Sequence, residues 1–252
     1  MKSLIQGPRY NLTNPPKKLG DFFINIFVYM FYNMCIMKLE SPGILIGLRP
    51  FNERDAVARI LTRDYGVLVG MMRGAVVAKK NKPLIGQIGC AIWNARLDSQ
   101  LGMFHWDAEK NLVAKFMLNP GQLAYINAAF ELLVTLLPER EAYPVLYDET
   151  IYMLENLAGD AYRVYLGWEI SLLRDLGFAL DLSHCSGCGA TQNLNYLSPR
   201  TARAVCDKCA APYIDRLYKL PVNLGVTGRF LDSVCAQLGA NIPHMRKMLK
   251  LD

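Results

Sequence analysis

Two C-x-x-C knuckles with seventeen residues between them stand out in the sequence: Cys185-Ser186-Gly187-Cys188 and Cys206-Asp207-Lys208-Cys209. This spacing falls in the range of four-thiolate zinc sites. Two intervening residues let both sulfurs of one turn reach a tetrahedral cation at about 2.3 Å, and the second pair completes the coordination. A site closed in this way stabilises a fold and has no open position for a catalytic water. The sequence therefore predicts a structural Zn²⁺ site, bound by Cys185, Cys188, Cys206 and Cys209.

Two other arrangements of these thiols remain open, namely two disulfides or four unconnected cysteines. His184 precedes the first knuckle and could replace one ligand, but four cysteines already complete a tetrahedron, so we interpret it as a bystander. Seven cysteines without a convincing cleavable signal favour a reducing cytoplasm. The remaining cysteines, Cys35, Cys90 and Cys235, are expected to be ordinary thiols.

The positive charge of the chain is concentrated in its first half. The 252 residues carry a net charge of +6; residues 38–118 hold twelve Lys and Arg against seven acids, and residues 119–252 hold twelve against fourteen. The apolar content of 52% is typical of a globular protein, and the length suffices for two modest domains. A basic domain attached to a nearly neutral one fits a polyanionic partner.

Residues 1–37 are expected to form a separate leader. They end in a sixteen-residue apolar run, 22–37, which is short for a bilayer span of about twenty residues. Three interpretations remain open: translated upstream sequence before a working start near Met37, a membrane-associated segment, or an additional packed helix. We prefer the first.

Short runs bounded by Gly, Pro, Asn or Asp predict five strands after Ser41, at 43–49, 56–63, 67–73, 87–97 and 102–108. So many strands in so short a span favour a small β-barrel over residues 38–116, and the OB-fold is the commonest five-stranded candidate. We expect its closed sheet to bury eight apolar side chains: Ile44, Ile46, Val57, Ile60, Val67, Val69, Ile88 and Ile92.

Basic side chains follow the ends of these predicted strands, and a long basic loop, 73–83, leaves the third. OB-folds bind single-stranded nucleic acid through a basic groove and stacking aromatics. The candidates for phosphate contacts are Arg49, Arg73, Lys79, Lys80, Lys82 and Arg96. For any one of them a solvated surface charge is an equally good interpretation. Trp93, Phe104 and Trp106 could stack on bases, although most of them are expected to be core residues.

Helical periodicity begins at Asn119 and predicts a helical domain over residues 119–252. Asn119 and Pro120 begin the first amphipathic helix, Pro144 the second, and Asp160 caps a third that stops at Gly177. The zinc module is expected at 182–212, inserted into this domain.

A last helical region follows the zinc module. Arg246, Lys247 and Lys250 lie near the terminus, where positive charge favours the end of a helix. The predicted fold class is therefore α+β: an N-terminal OB-fold β-barrel, a helical domain and an inserted four-cysteine zinc module.

Motifs for bond-making chemistry are missing from the sequence. It contains no phosphate-binding P-loop, no dinucleotide-binding glycine motif after a strand, no G-x-S-x-G elbow and no deaminase arrangement. With three histidines, there is little material for histidine-based acid–base catalysis. We assign no catalytic residue. The alternatives are a zinc-ribbon adaptor that contacts only protein and has no DNA affinity, and a metal-dependent nucleic-acid enzyme, which would need an open metal site.

Several short motifs, in order along the chain, resemble the bacterial RecO recombination-repair proteins. Those of the first half are Gly43-Ile44-Leu45, Glu53-Arg54-Asp55-Ala56-Val57, Leu61-Thr62, Tyr65-Gly66 and Arg73-Gly74-Ala75. Those of the second half are Leu176-Gly177-Phe178, Leu180-Asp181, Tyr196-Leu197-Ser198-Pro199 and the two cysteine knuckles. The resemblance covers about residues 38–250, and its ordered combination is specific.

The resemblance implies an N-terminal OB-fold, a helical domain and a zinc-binding insertion. It also implies a cytoplasmic, nucleoid-associated protein that binds single- and double-stranded DNA, anneals complementary strands and, with RecR, helps to load RecA onto strands coated by single-stranded DNA-binding protein (SSB). The helical domain would dock the acidic C-terminal tail of SSB, and no small-molecule substrate is implied. Some members lack the cysteines, so the zinc is expected to be structural.

The chain departs from the family in two places. Residues 1–36 have no counterpart, which supports a mis-set start. Many members have one or two glycines before the second knuckle, where this chain has Ala202-Arg203-Ala204. We therefore expect that turn to be built differently.

Overall fold

The computed structural model describes residues 37–96 and 101–249. All but the last residue, Met37, of the predicted leader and its apolar run lies outside the described residues. Within the described ranges, no helix combines the length and the apolar character needed to cross a membrane.

Five strands of the first half form a closed barrel: β1 (Met37–Pro50), β2 (Ala56–Thr62), β3 (Gly66–Met72), β4 (Gln87–Ala95) and β5 (Gly102–Asn111). Their order around the barrel is β1-β2-β3-β5-β4. All neighbouring pairs are antiparallel except β3 and β5, which run parallel. The five predicted strands are therefore confirmed to within a few residues at most ends.

The first strand begins six residues earlier than predicted, at Met37. Its first part pairs with β4 and its second part with β2, and the exchange of partners occurs around Gly43. A Cβ atom at Gly43 would lie 2.6 Å from the Ile60 side chain, so only glycine fits this crossing without a shift. Ser41, Pro42 and Gly43 look like a strand break in the sequence, whereas in the fold they mark where one long strand changes its partner.

Four of the eight side chains predicted to be buried by the barrel are buried, Ile44, Ile46, Ile60 and Val67, but most of the eight do not line the barrel interior. Of the eight predicted side chains, only Ile60 belongs to the apolar cluster inside the barrel. That interior is filled instead by residues such as Leu45, Leu68, Trp93 and Phe104. Five of the eight pack on the outer face, against the helices: Ile44, Ile46, Val67, Val69 and Ile88. The other two, Val57 and Ile92, are half-buried.

The second half contains three long helices, α1 (Pro120–Leu136), α2 (Pro144–Asn156) and α3 (Ala161–Asp175), preceded by a 3₁₀ turn at Ala114–Phe116. The cysteine-containing module comprises β6 (Leu194–Leu197), β7 (Ala204–Cys206), α4 (Asp207–Ala210), a 3₁₀ segment (Ala211–Arg216) and β8 (Tyr218–Lys219). Its strands are ordered β7-β6-β8. Two helices follow, α5 (Leu224–Leu238) and α6 (His244–Met248).

The helices begin and end where the sequence predicts. Proline occupies the first turn of α1 and of α2, where its missing N–H costs no hydrogen bond. The Asp160 carboxylate accepts a hydrogen bond from Arg163 N at 3.1 Å, and Gly177 ends the α3 region at φ +90°. Asn119 occupies the cap position of α1, but its side chain makes no capping hydrogen bond.

The barrel and the helices share one apolar core. The outward-facing Ile44 and Val67 belong to the same buried cluster as the α1 residue Phe130. At the edge of this core, Arg63 binds Asp148 of α2 through two hydrogen bonds of 3.0 and 2.9 Å. Arg140 N donates to Val67 O at 3.0 Å, so the loop before α2 is bonded to β3.

We expect Gly66→Ala to lower the free energy of unfolding by about 2–3 kcal/mol, because two costs add. Gly66 has φ +65°, and a Cβ there would lie 1.7 Å from the carbonyl oxygen of Glu141. Gly74→Ala is a matched control, since Gly74 has φ +69° with nothing within 4 Å of its Cβ position. Urea unfolding of both variants measures the difference; equal destabilisation would contradict the close approach of the 139–141 loop to the barrel.

Candidate metal centre and nucleic-acid interface

The four knuckle cysteines lie together. Their sulfur atoms are all within 4.8 Å of one another, and the sulfurs of Cys188 and Cys206 are 3.6 Å apart. None of the four is in a disulfide. Four sulfurs bound to one tetrahedral cation at about 2.3 Å would be separated by about 3.8 Å. The cluster therefore has the donors and the dimensions of a closed four-thiolate site.

The first knuckle is a tight turn that depends on two glycines. Gly189 N donates to Cys185 O at 2.9 Å, and Gly189 has φ +76°, a conformation that glycine adopts without strain. A Cβ atom at Gly187 would lie 3.0 Å from the sulfur of Cys209. The missing side chain at Gly187 therefore lets the two knuckles approach closely.

The second knuckle joins a strand to a helical turn. Cys206 ends β7 and caps α4, which carries Cys209. The preceding turn contains Ala202 at φ +54°, and Ala202 N donates to Ser198 O at 2.9 Å. Ala202 is therefore a non-glycine residue in the left-handed region of this turn.

Backbone amides favour the charged form of one cysteine. Cys206 N and Gly187 N donate to the buried sulfur of Cys185 at 3.3 and 3.4 Å, and they lower the pKa of Cys185 to about 6. Hydrogen bonding with the Cys188 thiol is the main cause that raises the pKa of Cys209 to about 12. His184 is exposed, with Nδ1 2.7 Å from Ser183 Oγ, and it is not part of the sulfur cluster.

The second candidate site lies at one end of the barrel. A row of paired residues crosses the five strands: Arg49, Val57, Met71, Met103 and Asn94. Arg73 and Arg96 each follow a member of this row by two residues, and both are exposed. β1 and β3 run in the same direction, so Arg49 and Arg73, which lie near their C-terminal ends, are at the same end of the barrel. β4 runs antiparallel to β1, and Ala95 pairs with Met37, so Arg96 lies at the opposite end.

The basic loop covers this end of the barrel and is held there by backbone hydrogen bonds. Ala75 and Val76 pack into the cluster inside the barrel. Gly74 N donates to Asp55 Oδ1 at 2.8 Å, and at the far end of the loop Gly86 N donates to Leu45 O at 2.8 Å. Both ends of the loop are therefore attached to the barrel.

The three loop lysines Lys79, Lys80 and Lys82 are exposed. Among the residues that the structure describes, no carboxylate forms an ion pair with any of them. Their charges are therefore available to a polyanion. The three loop lysines and the two arginines at this end of the barrel form what we call the basic end: Arg49, Arg73, Lys79, Lys80 and Lys82. The sixth candidate, Arg96, lies at the other end of the barrel.

The aromatic candidates are mainly core residues, as expected. Trp93 is fully buried inside the barrel, and its Nε1 donates to Val69 O at 2.9 Å. Phe104 is also buried, while Trp106 is half-buried and bonded to Gln87 at 3.3 Å. Sequence reasoning missed the exposed Phe51 beside the basic end; the available signal was a phenylalanine directly before a polar turn.

Comparisons with known proteins agree with one another. A family model described as "Recombination protein O C terminal" matches residues 117–238, a range that includes all four cysteines. The chain is 37% identical to the DNA repair protein RecO of Jannaschia sp. (strain CCS1), over 77% of this chain and 86% of that protein. It is 35% identical to the DNA repair protein RecO of Rhodospirillum centenum over 83% and 92%, and to that of Ruegeria sp. (strain TM1040) over 82% and 93%.

Proposed function

The chain belongs to the RecO family of DNA repair proteins, and we propose that it is a DNA recombination and repair mediator. In this role it binds single- and double-stranded DNA, anneals complementary strands and, with RecR, helps to load RecA onto SSB-coated single strands. Its proposed partners are DNA, RecR, the C-terminal tail of SSB and, indirectly, RecA. It acts in the cytoplasm, on the nucleoid.

The basic end is the observation that carries the proposal. Lysines without a carboxylate partner among the described residues, on a loop attached to the barrel, and the arginines at the ends of β1 and β3 give one end of the barrel a cationic surface. The five-stranded barrel order is consistent with an OB-fold, an architecture that binds oligonucleotides through one face and its loops. We therefore assign DNA binding to an OB-fold domain at 38–116, and the protein contacts to the helical domain at 119–252.

Strand annealing by this surface needs no bond-making group. Two complementary strands repel each other through their phosphates, and neutralising those phosphates lets them approach. Base pairing between the strands then supplies the sequence fidelity. The lysines and arginines of the basic end are suited to the first task, so we propose a mediator and not an enzyme.

We assign a structural Zn²⁺ to the cysteine cluster in the module at 182–212. The sulfur separations support this assignment, and Cys185 is already disposed to bind as a thiolate. When bound, the ion supplies a cross-link between the two knuckles. All four donors come from the chain, so the site offers no position for an activated water.

Annealing of complementary oligonucleotides coated with SSB, measured without nucleotide across a salt series, tests the proposal. A DNA mediator should accelerate annealing, and the acceleration should fall as salt rises, because phosphate contacts release counterions. A folded, zinc-loaded sample that binds no DNA at moderate salt would instead favour the protein-only adaptor.

We expect the triple replacement of Lys79, Lys80 and Lys82 by glutamine to weaken duplex binding and to flatten its salt dependence. Three lost phosphate contacts should make the slope of log K against log salt less negative by about 2.7. Fluorescence anisotropy with a labelled duplex measures the slope. A matched triple, Lys208, Lys219 and Lys247 to glutamine, removes three exposed charges of the second half; an unchanged slope in the loop triple would remove the loop from the proposal.

A further inference from the structure

Phe51 is an apolar aromatic side chain that the fold leaves 65% exposed. It follows β1 directly, two residues after Arg49, and so lies beside the basic end. Phenylalanine has no polar group that gains from contact with water, and a side chain of its kind gains about 1.5–3 kcal/mol when fully buried. Its exposure leaves the ring available to a ligand with a flat apolar face.

The turn that carries Phe51 is held by a network of short hydrogen bonds. Phe51 N donates to Asp55 O at 2.9 Å, and Asn52 Oδ1 accepts from Arg54 N at 2.8 Å and from Asp55 N at 2.7 Å. The ring is therefore attached to an ordered backbone. An ordered platform loses little conformational entropy when a ligand binds.

This turn is also bonded to the basic loop. Gly74 N donates to Asp55 Oδ1 at 2.8 Å, and Val76 N donates to Arg54 O at 3.0 Å. The same hydrogen bond from Gly74 lowers the pKa of Asp55, so this carboxylate stays charged at neutral pH. The turn thus carries two acids, Glu53 and Asp55, beside Arg54. Phe51 thus follows Arg49 on a turn that is bonded to the start of the basic loop, so a ligand that contacts the basic end can also reach its ring.

Two other exposed aromatic residues lie in different electrostatic surroundings. Tyr152 of α2 is 62% exposed, but its helix also carries Asp148, Glu149 and Glu155. Tyr213 lies on the 3₁₀ segment of the cysteine module, where Asp215 and Arg216 balance each other. Of these three aromatic residues, Phe51 is the one next to the basic end, although its own turn also carries Glu53 and Asp55 beside Arg54.

We infer that Phe51 is a stacking platform for an unpaired base, and that it gives the basic end a preference for single-stranded over double-stranded DNA. In a duplex both faces of each base are already covered by their neighbours, whereas a single strand can present a free face. The inference rests on the proposed DNA binding and adds the residue that separates the two forms of DNA.

The test compares the full-length protein and Phe51→Ala for binding to an oligothymidine strand and to a duplex of equal length. We expect the single-strand Kd to rise about 5- to 100-fold, as for the loss of one base–aromatic contact. The duplex Kd should stay within twofold, and the salt slope should not change because no charge is removed. Phe51→Trp should restore single-strand binding, and Phe51→Leu should not, since leucine keeps apolar area but lacks a flat ring.

Tyr152→Ala is the matched control for loss of an exposed aromatic side chain, and thermal melting of each variant checks the fold. Equal losses on both DNA forms, rescue by leucine, or unchanged single-strand binding in Phe51→Ala would each overturn the inference while leaving the proposed function standing. If the unsubstituted protein binds neither form of DNA, the proposed function and the inference fail together.

Discussion

Replacing Arg246 with alanine is expected to lower the free energy of unfolding by about 3–5 kcal/mol, because it leaves a buried carboxylate without its cation. Arg246 lies on α6 and is 2% exposed, and Glu169 of α3 is fully buried. Urea unfolding with the full chain measures the change. A loss of this size is a large part of the free energy of unfolding of an ordinary domain.

Two parallel hydrogen bonds join the guanidinium of Arg246 to the carboxylate of Glu169, at 2.5 and 2.7 Å. Arg246 Nη2 also donates to Leu224 O at 2.8 Å, and Tyr165 Oη donates to Glu169 at 2.7 Å. Without Arg246, Tyr165 alone among the described residues would still donate to the carboxylate, and Leu224 O would lose this donor. The pair therefore fixes α6 to α3 and to the start of α5.

The two donors to Glu169 keep their protons at neutral pH. Burial alone would lower the pKa of Arg246, but the hydrogen bond to Glu169 raises it overall. Burial is also the main reason that the pKa of Tyr165 is raised well above its usual value. Arg246→Ala should therefore destabilise the protein by removing its hydrogen bonds to Glu169 and Leu224, and not by changing the protonation of Tyr165.

Arg174→Ala is the matched control, because Arg174 pairs with Glu149 and Asp175 at the surface. An exposed pair of this kind contributes about 0–1 kcal/mol. Replacing both buried partners, as in Arg246→Met with Glu169→Leu, should cost less than Arg246→Ala alone, since no charge is left unpaired. If Arg246→Ala destabilised the protein no more than Arg174→Ala, the buried pair would be contradicted.

Arg246 shows a limit of inference from sequence. Its position near the terminus suggested a cation that favours a helix end, yet its partner is 77 positions away, and no local pattern points to it. The barrel faces were misassigned for a related reason. β1 and β3 are apolar at successive positions such as Ile44-Leu45-Ile46 and Val67-Leu68-Val69, because one face lines the barrel and the other meets the helices.

Features encoded within a few residues were predictable. The strand ends follow turn residues, and the helix starts follow prolines and Asp160, because these residues act on their own backbone. The cysteine cluster was predictable from spacing, since each C-x-x-C turn brings two sulfurs to one point. The anchoring of the basic loop was not, because it depends on Asp55, nineteen positions before Gly74.

Replacing Cys206 with serine is expected to abolish stoichiometric zinc binding and to unfold the cysteine module. The module has a small apolar cluster of its own, in which Cys185, Val205, Cys206 and Ala210 are the buried members. So small a core contributes little hydrophobic stabilisation, whereas structural zinc sites bind with an apparent free energy of about 10–16 kcal/mol. Metal analysis should give about one zinc per chain before the replacement and much less after it.

Cys206 is the most informative of the four positions because it contributes both a sulfur and a backbone bond. Its N–H donates to the Cys185 sulfur at 3.3 Å, and its residue ends β7, so loss of the metal should release the strand as well as the knuckle. Hydrogen exchange should rise over 182–212 and stay slow in the barrel, whose core is a separate cluster. Cys90→Ser is the matched control, because Cys90 lies in the barrel outside the sulfur cluster. A Cys206→Ser protein that kept one zinc and a protected module would rule out this cluster as the metal site, and a loss of barrel protection would show that the ion supports more than its own module.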